Sequence, residues 1–288
     1  ANMGAGFDTL GVAVGLYNRM MIEEIPEGLE VINKNTQSFI PQDTSNLIYR
    51  AMAGLFDYVG YEQKGYRITQ DSQIPMTRGL GSSSACIIGG MLAANIISGR
   101  QLSYQEIIHL AAKMEGHPDN VGPALFGGFC VSLMDDDKTI IKSTKLKSHI
   151  KFAVIIPDFF VATKKSRGVL PSKIDFKDAV FNVGHASMFQ AAMLTCDMKA
   201  LEIGVKDKLH QQYRKSYVDG MEDIFEKTYH LGSHATYLSG SGPTILSILD
   251  GNYDGFKAGM EEYFKTNGLE WKCMILPIDN VGAVVSEI

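Results

Sequence analysis

Ile74-Pro75-Met76-Thr77-Arg78-Gly79-Leu80-Gly81-Ser82-Ser83-Ser84-Ala85 is the stretch on which the reading of this chain turns. Glycines at 79 and 81 let the backbone bend with positive φ and approach a ligand closely. The serines bring hydroxyls and backbone N–H groups. Ala85 to Ile97 follows, apolar nearly all round, which predicts a buried helix. A helix N-terminus with free N–H groups carries partial positive charge and suits a phosphate, and successive N–H groups around such a turn make an anion nest. A serine hydroxyl there can also sit on a magnesium ion. No Gly-Lys-Ser/Thr follows, so the turn is not a Walker A loop. The plainer alternative is a helix start with serine caps; the preceding proline and the long apolar helix favour a phosphate.

Outward from the turn, the chain mixes strands and helices without a strict βαβ alternation, which predicts an α+β fold rather than a doubly wound parallel sheet. Leu10 to Glu24 reads as one extended strand bent at Gly15. Leu47 to Val59 has helical spacing, with Thr44 or Ser45 as its cap. Gly65 to Gln70 reads as a short strand. Ser103-Tyr104-Gln105-Glu106 is a capping box opening a helix through Met114, which stops at Gly116-His117-Pro118 because proline cannot continue it. Gly128 to Met134 reads as a strand. The acidic turn at Asp135 to Asp137 and the polar stretch from Lys142 to His149 suggest a boundary, so two domains are expected, 1–149 and 150–288. Beyond it, strands are expected at Phe152–Ile156, Ala235–Leu238, Thr244–Leu249 and Trp271–Leu276. Helices are expected near Ala179–Leu194, Lys199–Val205, Asp219–Tyr229 and Tyr253–Thr266.

Bulk properties exclude several classes. A length of 288 residues allows about two domains. A formal charge of -5 gives no electrostatic footprint for nucleic acid or an anionic membrane. No apolar run reaches the roughly 18 residues needed to span a bilayer. Cys86, Cys130, Cys196 and Cys273 are widely spaced with no C-x-x-C pair, so reduced thiols in the cytoplasm are expected rather than zinc or disulfides. The chain opens at Ala1-Asn2-Met3-Gly4, in what reads as the middle of a motif, so a preceding segment is expected to be missing.

Glu115 sits at a helix C-terminus, where the dipole disfavours negative charge. A divalent cation shared with phosphate oxygens is one reason for it; an exposed glutamate on a fraying turn is the other. Asp119 and Asn120 follow a proline and form a turn of the kind that presents polar groups in sites. His117 could instead simply bond a nearby carbonyl. Only seven of the 27 basic residues are arginine, and the planar fork of Arg suits a carboxylate better than lysine does. Arg167 and Arg214 could also be solvated surface charges.

Taken together, three stretches in order resemble the motifs of the GHMP kinases: Asn2 to Asp8, Pro75 to Ala85, and Ser239-Gly240-Ser241-Gly242-Pro243-Thr244. Within that superfamily the chain is most similar to the homoserine kinase family, through the first motif, Glu115 to Val121, Phe126-Gly127-Gly128, Thr163 to Arg167 with Val169-Leu170-Pro171, and His210 to Arg214. The resemblance implies a two-domain GHMP kinase fold, with an N-terminal domain like ribosomal protein S5 domain 2 and a ferredoxin-like C-terminal domain. It implies transfer of the ATP γ-phosphoryl to the side-chain hydroxyl of L-homoserine, with Mg2+, in a homodimer. Asn2 and Asp8 would hold the substrate ammonium. Asn120 would bond its hydroxyl, with His117 close by. Arg167 and Arg214 would clamp its carboxylate, with Thr163 nearby. Pro75, Arg78, Gly79, Leu80, Gly81, Ser82, Ser83, Ser84 and Ala85 would bind the phosphates, Ser83 and Glu115 the magnesium, and Asn46 would sit near the adenine. The glycines of the third motif would close the site. Thr77-Arg78 departs from the small residues commoner before Gly79. No lysine suits a base role, so catalysis is expected to be mostly orientation by Asn120, with Asp119 as a possible base. Mevalonate or shikimate as substrate, or a ligand sensor without activity, are the rival readings. Neither rival substrate has an ammonium for Asp8.

Overall fold

The structure, a computed structural model, describes residues 1–35, 39–99, 102–161 and 163–287, without the side chains of residues 163–165. The run from Leu10 to Glu24 is two strands and not one: β1 (Leu10–Val12) and β2 (Asn18–Ile25), which enter different sheets. Between them Val14 bridges Ile278 and the Gly15 N–H donates to the Pro277 carbonyl at 2.9 Å. Contact with the far end of the chain therefore interrupts a run that is locally all strand.

β2 pairs antiparallel with β4 (Gly65–Ser72), which pairs in parallel with β3 (Leu29–Asn33). A parallel pair needs a crossover, and α1 (Leu47–Val59) lies in it. Its cap is Asn46, two residues past Thr44 and one past Ser45, the expected caps: the Asn46 Oδ1 accepts from the N–H groups of Ile48 and Tyr49. The other half of its amide donates to the Pro41 carbonyl at 2.9 Å. α2 (Ser82–Ile97) and α3 (Tyr104–Glu115) follow, the latter with the expected Ser103–Glu106 capping box and an end at Gly116. A short α4 (Val121–Phe126) comes next. Ile48, Met52 and Phe56 of α1, Ile87 and Met91 of α2, and Ile107 and Ala111 of α3 close over Tyr66 and Ile68 of β4 in one core.

The polar stretch read as a boundary contains a strand. β5 (Phe129–Asp135) turns at Asp136-Asp137 into β6 (Lys138–Thr144), and the sheet order is β1-β5-β6. β6 is a polar, mostly exposed edge, which is why its composition reads as linker.

The second half runs β7 (Lys151–Ile156), α5 (Thr163–Gly168), α6 (Phe176–Thr195), α7 (Met198–Gly204), α8 (Gln211–Arg214), α9 (Met221–His230), β8 (Ala235–Leu238), β9 (Ile245–Leu249), α10 (Tyr253–Thr266) and β10 (Lys272–Pro277). The sheet order β10-β7-β9-β8 is antiparallel throughout. Helices follow the first and third of these strands, which is the ferredoxin-like arrangement. Both faces are buried. Phe152 and Val154 pack with Phe189 and Met193 of α6, while Ala153 and Ile155 pack with Phe256 and Met260 of α10.

Each end of the chain crosses to the opposite half. Met3 and Leu10 join the core under the β7 sheet, and Asn182 of α6 donates to the Ala5 carbonyl at 2.8 Å. In return Asp279 exchanges hydrogen bonds with Ala13 and Gly128, and the Ala283 N–H donates to Leu125. We propose 149/150 as the domain boundary with both termini exchanged across it. Among the described residues, no helix is long and apolar enough to cross a membrane.

Asn46→Ala removes both cap bonds and the bond to Pro41. It should lower unfolding free energy by about 1–2 kcal/mol in urea titration, the upper range for cap removal. An unchanged midpoint would contradict this.

Candidate active site

The glycine-serine turn is built as an anion cradle. Gly79 and Gly81 have φ of 74° and 75°. Gly81 is the N-cap of α2 and offers no side-chain cap, and no acidic residue stands in the first turn. The first intrahelical bond comes from the Ala85 N–H to Gly81, so the N–H groups of Ser82, Ser83 and Ser84 have no backbone acceptor in the helix. Sixteen aligned peptide units stand behind them. Thr77, a β-branched residue, also has positive φ, at 53°.

The turn is pinned from the C-terminal half. A Cβ on Gly79 would fall inside the Ser239 carbonyl and 3.0 Å from the Gly242 nitrogen. The Ser239 hydroxyl donates to Gly79 at 2.7 Å, the Thr244 N–H to Arg78 at 3.3 Å, and Arg78 Nη2 to the Asp158 carbonyl at 2.9 Å. The third motif thus meets the second backbone to backbone.

A cleft opens at this junction. Pro75, Arg78, Gly79, Leu80, Gly81, Ser82 and Ser83 line it, with Asn2, Glu115, His117, Asn120, Arg167 and Arg214. Thr77, Gly240 and Ser241 complete the wall. Ser84 and Ala85 are not in the lining: Ser84 is fully buried with an unpartnered hydroxyl, because the third residue of the helix turns inward. Asn46 is also outside it, at 2% exposure with its amide committed to the cap. Thr163 opens α5, but its side chain lies outside the described residues.

The Ser83 hydroxyl donates to Glu115 Oε1. These are the two oxygens the sequence assigned to a cation, and a hydroxyl beside a carboxylate at a phosphate cradle is a donor set that fits magnesium. A Cβ on Gly81 would lie 3.3 Å from Asn120 Oδ1, so Asn120 stands directly against the turn.

Asp119 is not in the cleft. It is 0% exposed, and its Oδ1 lies 2.6 Å from His117 Nδ1. Burial pushes its carboxyl up, but the His117 hydrogen bond and charge outweigh this and hold it below the usual range. For His117 burial opposes charging, yet the Asp119 bond and the nearby carboxylates win and raise its pKa above 6.5. Asp119 is therefore not placed to face a substrate in the cleft, as a base would be; its carboxylate is bonded to His117 instead.

The first motif is knotted. Asn2 and Asp8 both have positive φ, and Asn2 Oδ1 accepts from the Asp8 N–H at 2.8 Å. Asp8 takes Arg167 in a two-point pair, 2.7 and 3.0 Å, which raises the Arg167 pKa. Carboxylate and imidazole atoms of Asp8, His117 and Asp119 lie within 4.8 Å of one another. Arg214 is 1% exposed and donates to the carbonyls of Ser166 and Gly240 and to His210 Nδ1. Its pKa falls to about 10, through burial first and Arg167 second. The sequence reading assigned no role to Phe7 or His210, whose rings lie 5.4 Å apart behind the arginines. Both sat inside quoted motifs, and only the fold shows what they touch.

Fold and site define a small-molecule kinase of the GHMP type. Residues 46–128 match the model of the GHMP kinases N terminal domain. The chain is 44% identical to the homoserine kinase of Caldicellulosiruptor saccharolyticus, over 100% of this chain and 94% of that protein. It is 44% identical to that of Clostridium beijerinckii, over 100% and 96%. The solved structure of a putative homoserine kinase from Listeria monocytogenes matches with a TM-score of 0.81 at 27% identity, covering 100% of this chain and 96% of that one. The chain belongs to the homoserine kinase family.

Gly79→Ala has no room and an unfavourable φ. It should lower the melting temperature and raise the KM for ATP at least about tenfold, since strain at such a position costs on the order of 1–3 kcal/mol. A wild-type KM and melting curve would show that the two motifs do not meet as described.

Proposed function

We propose that this protein transfers the γ-phosphoryl group of ATP to the side-chain hydroxyl of L-homoserine, giving O-phospho-L-homoserine. The observation that carries this is one cleft and what stands behind it: its lining holds a phosphate cradle, a hydroxyl-carboxylate pair and two arginines, and Asp8, outside the lining, pairs with Arg167. A free amino acid presents an ammonium and a carboxylate, and Asp8 with the arginines answers both. The Asp8–Arg167 pair is itself an ammonium-like and carboxylate-like match, so a zwitterion can exchange partners with it at little electrostatic cost. Mevalonate and shikimate have no cation to offer Asp8.

Phosphoryl transfer asks mainly for positioning and charge stabilisation. In this reading the N–H groups of Ser82 to Ser84 cradle the triphosphate, and Ser83 and Glu115 hold the magnesium, which supplies neutralisation of phosphate charge when bound. Asn120, against the turn, aligns the acceptor hydroxyl. His117, with Nδ1 held by Asp119, offers Nε2 to take the hydroxyl proton, an Asp–His arrangement that fixes tautomer and orientation. We also propose a cytoplasmic homodimer; the exposed apolar residues Phe176, Val180 and Val183 on one stripe of α6 support the dimer.

A coupled ADP-release assay across homoserine, mevalonate, shikimate and galactose, with magnesium supplied or chelated, tests the substrate. Turnover should appear with homoserine and magnesium alone; preference for an alcohol without an ammonium would defeat the proposal.

The pH profile tests His117. A base must be neutral, so kcat/KM should fall as pH drops through the raised His117 pKa, above 6.5. Asp119→Asn removes the anion that raises it, so the acid limb should move to lower pH. A profile that does not shift in this variant would remove His117 from the proton path.

A further inference from the structure

Two guanidinium groups of like charge stand at one end of the cleft, and their repulsion must be met by something other than substrate. Asp8 meets it for Arg167 with two hydrogen bonds. Among the described residues no carboxylate is hydrogen-bonded to Arg214; Asp8, Asp207 and Asp119 act on it only by charge. Its hydrogen bonds go to two carbonyls and an imidazole nitrogen, all uncharged acceptors. The Phe7 ring meets both arginines. Its ring centroid lies 5.5 Å from Arg167 Cζ and 5.4 Å from Arg214 Cζ. A guanidinium within about 6 Å of a ring centroid is attracted by the ring quadrupole, more strongly where water is excluded.

His210 backs the same assembly. It is fully buried, and its Nε2 lies 2.9 Å from the Gly4 carbonyl. A carbonyl only accepts, so Nε2 carries the proton and Nδ1 is left as an acceptor. Arg214 Nη1 donates to that Nδ1 at 3.2 Å. Burial is the main cause of its lowered pKa, Asp207 and Arg214 acting in opposite senses, and a neutral ring fits the geometry. The first motif thus reaches Arg214 twice, through the Phe7 ring and through Gly4 and His210.

We propose that Phe7 is a positioning residue for the acceptor substrate: an aromatic platform, backed by neutral His210, that holds Arg167 and Arg214 together so that one carboxylate can bridge them. This rests on the amino-acid reading of the cleft given above. Phe7 is not in the lining of the cleft, so its effect passes through the arginines and is confined to the carboxylate end. The ring does work that a leucine of similar bulk cannot, because a leucine has no quadrupole. It also makes Phe7 a determinant of specificity, since an alcohol without a carboxylate does not use the platform.

Steady-state kinetics on Phe7→Leu and Phe7→Tyr, with homoserine and with aminopropanol, which lacks the carboxylate, test this. In Phe7→Leu the KM for homoserine should rise about tenfold, with kcat and the kcat/KM for aminopropanol within about twofold of wild type. Phe7→Tyr keeps the ring and should restore the homoserine KM. A homoserine KM unchanged in Phe7→Leu, or an equal loss on both alcohols, would overturn the proposal. Should Phe7→Leu fail to fold, Phe7→Met carries the same comparison and the same outcomes. Wild-type protein that does not phosphorylate homoserine would overturn the substrate reading and the platform with it; wild-type turnover with an indifferent Phe7→Leu overturns the platform alone.

Discussion

The contact of Gly79 with Ser239 and Gly242 is the constraint on which the site depends. Two backbone segments approach so closely that no Cβ fits between them, and three hydrogen bonds tie the turn to the C-terminal half: Ser239 donates to Gly79, Thr244 to Arg78, and the Arg78 side chain to Asp158. The turn cannot relax toward a conventional side-chain cap, so the helix N-terminus stays open to an anion. The same contact sets the cleft width, because it fixes Gly240 and Ser241 opposite the serines. Crossed chain ends reinforce it. The N-terminal segment is packed under the C-terminal sheet, and the tail after β10 returns to Gly128 and Leu125. Relative movement of the halves therefore has to displace segments on both sides.

Charge is arranged along the cleft in the order an amino-acid phosphorylation needs. Partial positive charge at the α2 N-terminus faces the cleft, where the proposed reaction places the nucleotide phosphates. Glu115 and Ser83 stand where a cation would balance them. His117 lines the cleft with Asp8 and Asp119 behind it, the three within 4.8 Å of one another, and the two arginines follow. Arg167 is met by Asp8, and the buried Arg214 by two carbonyls and an imidazole nitrogen. The Asp119 Oδ2, by contrast, is buried without a hydrogen bond. Its cost is offset by what Oδ1 does for His117.

Much of this was legible in the residues. The cradle was readable because glycine spacing, serines and an apolar helix are local features. So were the Ser103 capping box and the strands at Ala235–Leu238 and the helix at Tyr253–Thr266, where pattern and packing agree. What failed was decided by distant contacts. The Leu10 to Glu24 run is broken by Pro277 and Ile278, more than 200 residues away by any count along the chain. The polar edge strand β6 lacks the alternation that marks a half-buried strand. Asn46 reads as a ligand contact from its motif, but its amide is consumed by the helix it starts. Asp119 carries the chemistry expected of a base, and only the three-dimensional placement of His117 shows that the carboxylate lies buried behind that ring. Phe7 has no polar atom, so no motif argument could give it a part.

Calorimetric titration of a non-hydrolysable ATP analogue with magnesium, into protein saturated with homoserine, bears most directly on the claim that one cleft holds both a triphosphate and a free amino acid. Binding to a single site should be seen, tighter with homoserine present than without it. Absence of any heat on well-folded protein, with or without the amino acid, would contradict the claim.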